Sequence, residues 1–158
     1  MIWITHVIFA ALLVLLLKFP INLPWLAIPV AMMAALIPDI DHHNSKITNK
    51  GGFITRLISN FFNTRGIVHS LIGALAFFTI AYTSTVNLGL NPGYAYAFGI
   101  GYGSHLFLDS LNPMGVAWLR PFTQSRLRGK IKTGSFFEVI LLVLIAGLTL
   151  LNAVKLII

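Results

Sequence analysis

The stretch GYGSHLFLDSLNPMGVAWLRP, residues Gly101 to Pro121, sets His105 and Asp109 four positions apart in an otherwise apolar helical pattern. Residues at this spacing share one face of an α-helix. An imidazole and a carboxylate so placed can bind one metal ion, or they can form a hydrogen-bonded pair that ties two helices together. The surrounding medium bears on this choice, because a carboxylate in hydrocarbon costs several kcal/mol unless it is paired or liganded.

The composition indicates that this medium is a membrane. Of the 158 residues, 57% are hydrophobic and 9% are charged, which is typical of an integral membrane protein with a single domain, here residues 1–158. The formal net charge is +7, but the basic residues cluster between apolar spans. We therefore expect membrane lipids as partners and no nucleic acid. Cysteine is absent from the sequence, so a metal would be held by nitrogen and oxygen atoms.

Five apolar stretches predict an all-α polytopic membrane protein with about five transmembrane helices. In chain order the spans are placed at about Ile2–Phe19, Trp25–Pro38, Ile67–Val86, Tyr94–Leu111 and Ser135–Ile158. The second span reaches only about 21 Å, against roughly 30 Å of hydrocarbon, so it is expected to end inside the protein. Gly99 and Gly103 in the fourth span form a small-residue pattern that predicts the close approach of a neighbouring helix.

A dense polar segment, PDIDHHNSK, follows the second span and carries Asp39, Asp41, His42 and His43. Irregular polar backbone at membrane depth is tolerated only where it lines a cavity enclosed by protein. A helix-ending turn would explain one aspartate but not this density. The segment therefore favours a functional site.

Three further polar residues have two interpretations each. His69 lies four residues after Arg65 in TRGIVHSL and would share a helical face with it, or it is a packing histidine beside a head-group anchor. His6 is a site residue or an interfacial histidine. Glu138 is a site residue or the cap of the last helix, since an acid in the first turn favours the helix dipole.

The alternation of five spans brings most of these residues to one side of the membrane. Near span ends on that side lie His6, Asp39, Asp41, His42, His69, His105, Asp109 and Glu138. The two loops on the same side contain all the lysines and arginines except Lys18 and Lys155. The positive-inside rule makes this side cytoplasmic and predicts a multi-pass protein of the cell membrane with a cytoplasmic N-terminus. We therefore predict a metal site near the cytoplasmic face.

The segments PDIDHHNSK, TRGIVHSL and GSHLFLDSLNPMGVAWLRP together resemble the YdjM-type family of inner-membrane metal-dependent hydrolases over nearly the whole chain. The resemblance implies Arg65 beside a set of metal ligands, namely His6, Asp39, Asp41 or His42, His69, His105 and Asp109. The family motif often reads HRGxTHS, whereas this chain has Thr64 in place of the motif's first histidine and Val68 in place of its threonine. A more distant likeness is to zinc-dependent phospholipase C and P1 nuclease.

We expect hydrolysis of a lipid or amphiphilic phosphoester by one or two divalent cations, zinc first and manganese second. Asp41 is the expected general base, and Arg65 and Arg120 are expected to bind the phosphate. Two other functions stay open: a divalent-metal transporter, and a non-enzymatic membrane or lipid-binding protein in which the metal is a staple. A homo-oligomer is also left open.

Overall fold

Five α-helices make up most of what the structure, a computed structural model, describes, namely residues 1–42 and 67–157. The helices are α1 (Trp3–Ile21), α2 (Ala27–Ala34), α3 (Leu71–Asn87), α4 (Gly93–Ser110) and α5 (Phe136–Ile157). A 3₁₀ helix, Ile37–His42, follows α2. Within the two described ranges there is no β-strand, and Val116 and Leu127 form an isolated bridge. The all-α prediction is confirmed for these ranges.

The apolar runs set the helix bounds, and local chemistry adjusts them by a few residues. α1 ends at Asn22, which adopts the left-handed conformation (φ 47°) and donates its backbone N–H to the carbonyl of Lys18. Asparagine is one of the few residues other than glycine that tolerates this conformation. α2 is shorter than the predicted span, because the chain tightens into the 3₁₀ helix and so brings Asp39 to the end of the bundle.

The centre of the bundle is α4, which packs against α1, α2 and α3, while α5 packs against α1. Two helices approach each other closely at Gly101, where a Cβ atom would lie 2.1 Å from the carbonyl oxygen of Ala31 in α2. Gly99 faces the ring of Phe78 in α3, and at Gly103 no atom of another described residue lies within 4 Å of where its Cβ would be. The tight packing predicted for Gly99 and Gly103 is therefore found chiefly at Gly101.

One described helix is long and apolar enough to cross a membrane by itself, over Phe136–Lys155 in α5, and most of its side chains lie on the outside of the bundle. The apolar segments Trp3–Lys18, Ala27–Asp39 and Leu71–Asn87 are shorter. Large apolar side chains are exposed on several helices, among them Leu16, Leu75, Ile80, Leu144 and Leu151. Five membrane spans stay a prediction.

The segment between α4 and α5 is fastened to the C-terminal end of α4. The indole N–H of Trp118 donates to the hydroxyl of Ser110 (2.7 Å). Backbone N–H groups of Gly129 and Ile131 donate to the carbonyls of Asn112 (3.2 Å) and Leu111 (3.0 Å). These bonds bring the start of α5 back beside the end of α4, where the predicted site lies.

Candidate metal centre

Four parts of the fold supply the histidines and aspartates at one end of the bundle. α4 contributes His105 and Asp109 from one face, one helical turn apart. The 3₁₀ helix contributes Asp39, the turn before α3 contributes His69, and α1 contributes His6. The predicted convergence of span ends is therefore found for these residues.

Asp39, His69, His105 and Asp109 form a group that could hold a metal ion. Each offers one nitrogen or oxygen atom, and these atoms all lie within 4.8 Å of one another. The Nε2 atom of His105 is 3.7 Å from an oxygen of Asp39 and 3.7 Å from an oxygen of Asp109. Two ligands at roughly 2.1 Å from a tetrahedral ion lie about 3.4 Å from each other, so the spacing is close to that of ligands around a shared cation.

The orientation of the His105 ring is set by α2. Its Nδ1 atom lies 2.7 Å from the carbonyl oxygen of Ala35, which can only accept, so Nδ1 carries the proton and donates it. The lone pair of a neutral ring then lies on Nε2, which is buried and has no hydrogen-bond partner among the described residues. A backbone carbonyl behind the imidazole in this way is the usual arrangement behind a metal-binding histidine.

The electrostatics of this arrangement would favour a bound cation. A lone pair on His105 faces the carboxylates of Asp39 and Asp109, and all three groups are electron-rich. Mutual repulsion in a buried site is relieved when a proton or a metal ion lies between them.

His6 lies beside the four-residue group. Its side chain is fully buried, its ring stacks on His105 with centroids 4.1 Å apart, and its Nε2 atom is 3.5 Å from Oδ1 of Asp109. Neither ring nitrogen of His6 has a hydrogen-bond partner in the described part of the chain. His6 is therefore placed to give a further nitrogen ligand on the α1 side.

The two oxygens of Asp109 have different partners. Oδ2 faces His105, whereas Oδ1 accepts a hydrogen bond from the α-ammonium group of Met1 at 2.9 Å. Sequence reasoning missed this ion pair, since no local pattern connects residues 1 and 109. The ammonium group neutralises part of the negative charge that the cluster would otherwise bury.

Glu138 lies outside the four-residue group but at the same end of the bundle. Its buried carboxylate accepts hydrogen bonds from the backbone of Ile2 (2.6 Å), the hydroxyl of Thr5 (3.3 Å) and the backbone of Gly134 (2.6 Å). It thus connects the start of α1 to the start of α5, a role that neither of its two interpretations from sequence included.

His69 is not in a helix, which differs from the predicted third span. It lies in the turn before α3, and Ser70 is the N-cap, whose hydroxyl accepts the N–H of Gly73 at 3.3 Å. A Cβ on Gly73 would lie 2.2 Å from the carbonyl oxygen of Ile67, so the glycine allows this tight turn. His69 reaches the cluster from the turn, with its ring centroid 5.5 Å from that of His105.

For the remaining predicted site residues, the structure describes only part of their surroundings or none. Asp41 and His42 belong to the 3₁₀ helix, and their side chains lie outside the description. Arg65 and His43 fall in the range 43–66, outside the described residues. Arg120 is partly buried in the loop after α4, where its backbone N–H donates to the carbonyl of Ala117 at 3.2 Å.

Together these features define a class: an all-helical protein with apolar side chains on its outer surface, a helix able to cross a membrane, and a buried histidine and aspartate cluster at one end. Residues 1–157 match the YdjM inner membrane protein family. The chain belongs to that family. The predicted membership of the YdjM family is confirmed, and it supports a membrane location.

Individual relatives agree with this assignment. The chain is 40% identical over 128 residues to the uncharacterized protein YvsG of Bacillus subtilis, a match covering 77% of this chain and 76% of YvsG. It is 34% identical over 98 residues to the inner membrane protein YdjM of Escherichia coli and of Shigella flexneri. Those matches cover 61% of this chain and half of each YdjM protein. No solved structure matches the chain.

Proposed function

We propose that this protein is a membrane-bound hydrolase that uses a divalent metal ion to cleave a phosphoester of a lipid or amphiphile. The observation that carries the proposal is the His105 ring. Its Nδ1–H is held by the Ala35 carbonyl at 2.7 Å, so that the buried Nε2 atom is aimed between Asp39 and Asp109. This is the arrangement of a metal-binding imidazole rather than of a histidine that only packs.

The ion would be held by Asp39, His69, His105 and Asp109, with His6 as a further nitrogen ligand. Zinc is the first choice and manganese the second, because nitrogen and oxygen donors suit both and no thiolate is present. When bound, such an ion makes a coordinated water acidic and polarises a phosphoryl oxygen.

Three side chains of the protein would complete the chemistry. Asp41 follows Asp39 by two residues in the same 3₁₀ helix and would accept a proton from the attacking water. Arg65 and Arg120 would bind the phosphate oxygens, since a guanidinium group offers paired donors that match them. Arg120 belongs to the loop that is fastened to the end of α4, the helix of His105 and Asp109.

A lipid or amphiphilic substrate is supported by the surface next to the cluster. The segment between α4 and α5 exposes the aromatic side chain of Phe122 and the basic side chains of Arg128, Lys130 and Lys132. Aromatic and basic residues together are typical of the boundary between a bilayer and water. We propose that this boundary is the cytoplasmic one, with five spans and the N-terminus in the cytoplasm.

Turnover by the purified protein tests the proposal. The protein would be reconstituted into vesicles that contain phospholipids and phosphorylated lipids, with zinc or manganese, and released phosphate and head groups would be measured. We expect turnover that a chelator abolishes and that His105→Ala/Asp109→Ala lacks. Phe107→Ala, which changes an exposed residue between them on α4, is the matched control and keeps the activity. Stoichiometric metal without turnover on any substrate would contradict the hydrolase.

One observation favours a second candidate, a non-enzymatic membrane protein in which the metal is a staple. The Met1–Asp109 ion pair and the Glu138 hydrogen bonds already connect α1 to α4 and α5 at this end of the bundle. A metal ion would add a further connection, to α2 and the turn before α3. This candidate predicts a large rise in thermal stability on metal addition and no turnover.

A further inference from the structure

Glu138 is a buried acid that the proposed chemistry does not use. Its side chain is fully buried, and its three donors are neutral: the N–H of Ile2, the hydroxyl of Thr5 and the N–H of Gly134. Burial of a carboxylate costs several kcal/mol unless hydrogen bonds compensate it. The three hydrogen bonds compensate the burial of Glu138, and the groups that donate them show what the carboxylate holds together.

Capping of its own helix, α5, accounts for the partner of only one of the two carboxylate oxygens of Glu138. Ser135 and Glu138 form a capping-box pattern at the start of α5, and the N–H of Glu138 lies 3.4 Å from the Ser135 hydroxyl. Oε2 accepts from Gly134, just before the helix. Oε1, however, turns away from α5 to the N–H of Ile2 and the hydroxyl of Thr5.

That second oxygen serves the start of α1. The N-cap residue of α1 is Ile2, whose side chain cannot accept a hydrogen bond, so the helix lacks a cap of its own. The Glu138 carboxylate satisfies the Ile2 N–H from another helix and puts negative charge at the positive end of the α1 dipole. It stands at the N-terminal ends of two helices at once.

The first turn of α1 is also the turn that delivers His6. Thr5 bonds to Glu138, and the next residue stacks on His105 and approaches Asp109 to 3.5 Å. A shift of the Ile2–Thr5 turn would carry the imidazole out of the cluster, because neighbouring residues of one helical turn move together.

We infer that Glu138 is a positioning residue: it locks the first turn of α1 against α5 and thereby sets His6 against Asp109 and His105. The inference concerns geometry, and only its consequence for metal affinity rests on the proposed function. Glu138→Gln is the sharpest change, since an amide of nearly the same shape has one accepting oxygen. The amide also lacks the negative charge that strengthens these hydrogen bonds, so the bonds to Ile2 and Thr5 are weakened in either orientation of the amide.

The direct test is chemical modification of histidines by diethyl pyrocarbonate in the metal-free protein, read residue by residue by mass spectrometry. In Glu138→Gln we expect the rate at His6 to rise about tenfold or more, because hydrogen bonds to a charged group are lost. His69 is held in the turn before α3 and is expected to keep the wild-type rate. His105 is held by the Ala35 carbonyl but is covered by the His6 ring, so its rate is expected to rise less than that of His6. Asn152→Ala, far along α5, is the matched control and leaves all three rates unchanged.

Two results would overturn the inference: an unchanged rate at His6, or an equal rise at all three histidines, which would mean general opening of the bundle. If Glu138→Gln does not fold, Thr5→Val decides, because it removes only the 3.3 Å hydroxyl bond and keeps the shape. A smaller rise that is greatest at His6 and absent at His69 supports the inference, and no rise at His6 overturns it.

Zinc affinity gives a second measurement, and it separates a positioning role of Glu138 from a general effect of Glu138 on stability. If Glu138 acts through His6, Glu138→Gln weakens zinc binding by about tenfold, as the loss of an outer-shell partner does. The same change has no further effect in a His6→Ala background. Additive effects would contradict the positioning role. If the wild-type protein bound no zinc, the proposed function would be contradicted, but the result on the chemical modification of the histidines would still stand.

Discussion

Two buried carboxylates at the same end of the bundle have opposite surroundings. Asp109 lies among the rings of His6 and His105 and an ammonium group, while the donors to Glu138 in the described part of the chain are neutral N–H and O–H groups. Asp109 faces ring nitrogens that have no hydrogen-bond partner among the described residues and could share a metal ion with it, whereas both oxygens of Glu138 already accept hydrogen bonds. Burial alone therefore does not mark a site residue. The partners of the acid do.

The same change at both positions gives the largest expected contrast. Asp109→Asn removes the charge that a metal requires, and we expect zinc affinity to fall by about 100-fold or more, beyond what outer-shell partners alone contribute. Glu138→Gln is expected to bind zinc at the same stoichiometry as the wild-type protein, with an affinity only about tenfold lower. Competition with a chromogenic chelator measures both. Equal losses of zinc affinity in the two variants would contradict the assignment of Asp109 as a metal ligand and Glu138 as a positioning residue.

A second substitution, Gly101→Ala, is expected to disturb the surroundings of Asp109 without changing those of Glu138. Gly101→Ala would drive a methyl group against the backbone of Ala31, and overpacking of this kind costs about 1–3 kcal/mol. Displacement of α2 would also move the Ala35 carbonyl and Asp39 from His105, so zinc affinity should fall as well. Thermal unfolding in detergent and chelator competition measure the two effects.

Gly103→Ala is the matched control for this substitution. Its added methyl group meets no atom of the described residues around it within 4 Å, and alanine favours a helix by about 1 kcal/mol over glycine, so stability should stay the same or rise. Destabilisation by Gly103→Ala to the same extent as by Gly101→Ala would show that close approach to α2 is not the cause.

The smallest expected effect concerns the turn of His69. Ser70→Ala removes the cap of α3 and should cost about 1 kcal/mol of stability. Because His69 is the preceding residue, a few-fold loss of zinc affinity is expected without a change in the reactivity of His6. Thr85→Ala, at the other end of α3, is the control: it removes a hydroxyl bond without altering the cap. A loss of zinc affinity as large as in Asp109→Asn would mean that the turn holds more than one ligand.

The sequence predicts most of the fold and the centre of the candidate site. The spans agree with the helices because long apolar runs leave few alternatives, and the spacing of His105 and Asp109 on one face follows from helical geometry. Other features depend on which helices touch. The Ala35 carbonyl behind His105, the Met1 ammonium on Asp109 and the bond from Ile2 to Glu138 join residues 70 or more positions apart. No local pattern encodes them.

The position of His69 shows a different limit. An apolar run from Ile67 predicts a helix that includes this histidine, but the Ser70 cap and the close contact at Gly73 start α3 later. Apolar periodicity locates a helix, whereas a single hydroxyl decides its first residue.

Elemental analysis of the purified protein tests the central claim most directly. Wild-type protein, prepared without chelators, would be measured beside His105→Ala/Asp109→Ala and the Phe107→Ala control. We predict one or two zinc or manganese ions per chain in wild type and control, and none in the double variant. No metal in the wild-type protein after purification and add-back, or full metal retained in the double variant, would contradict the metal centre.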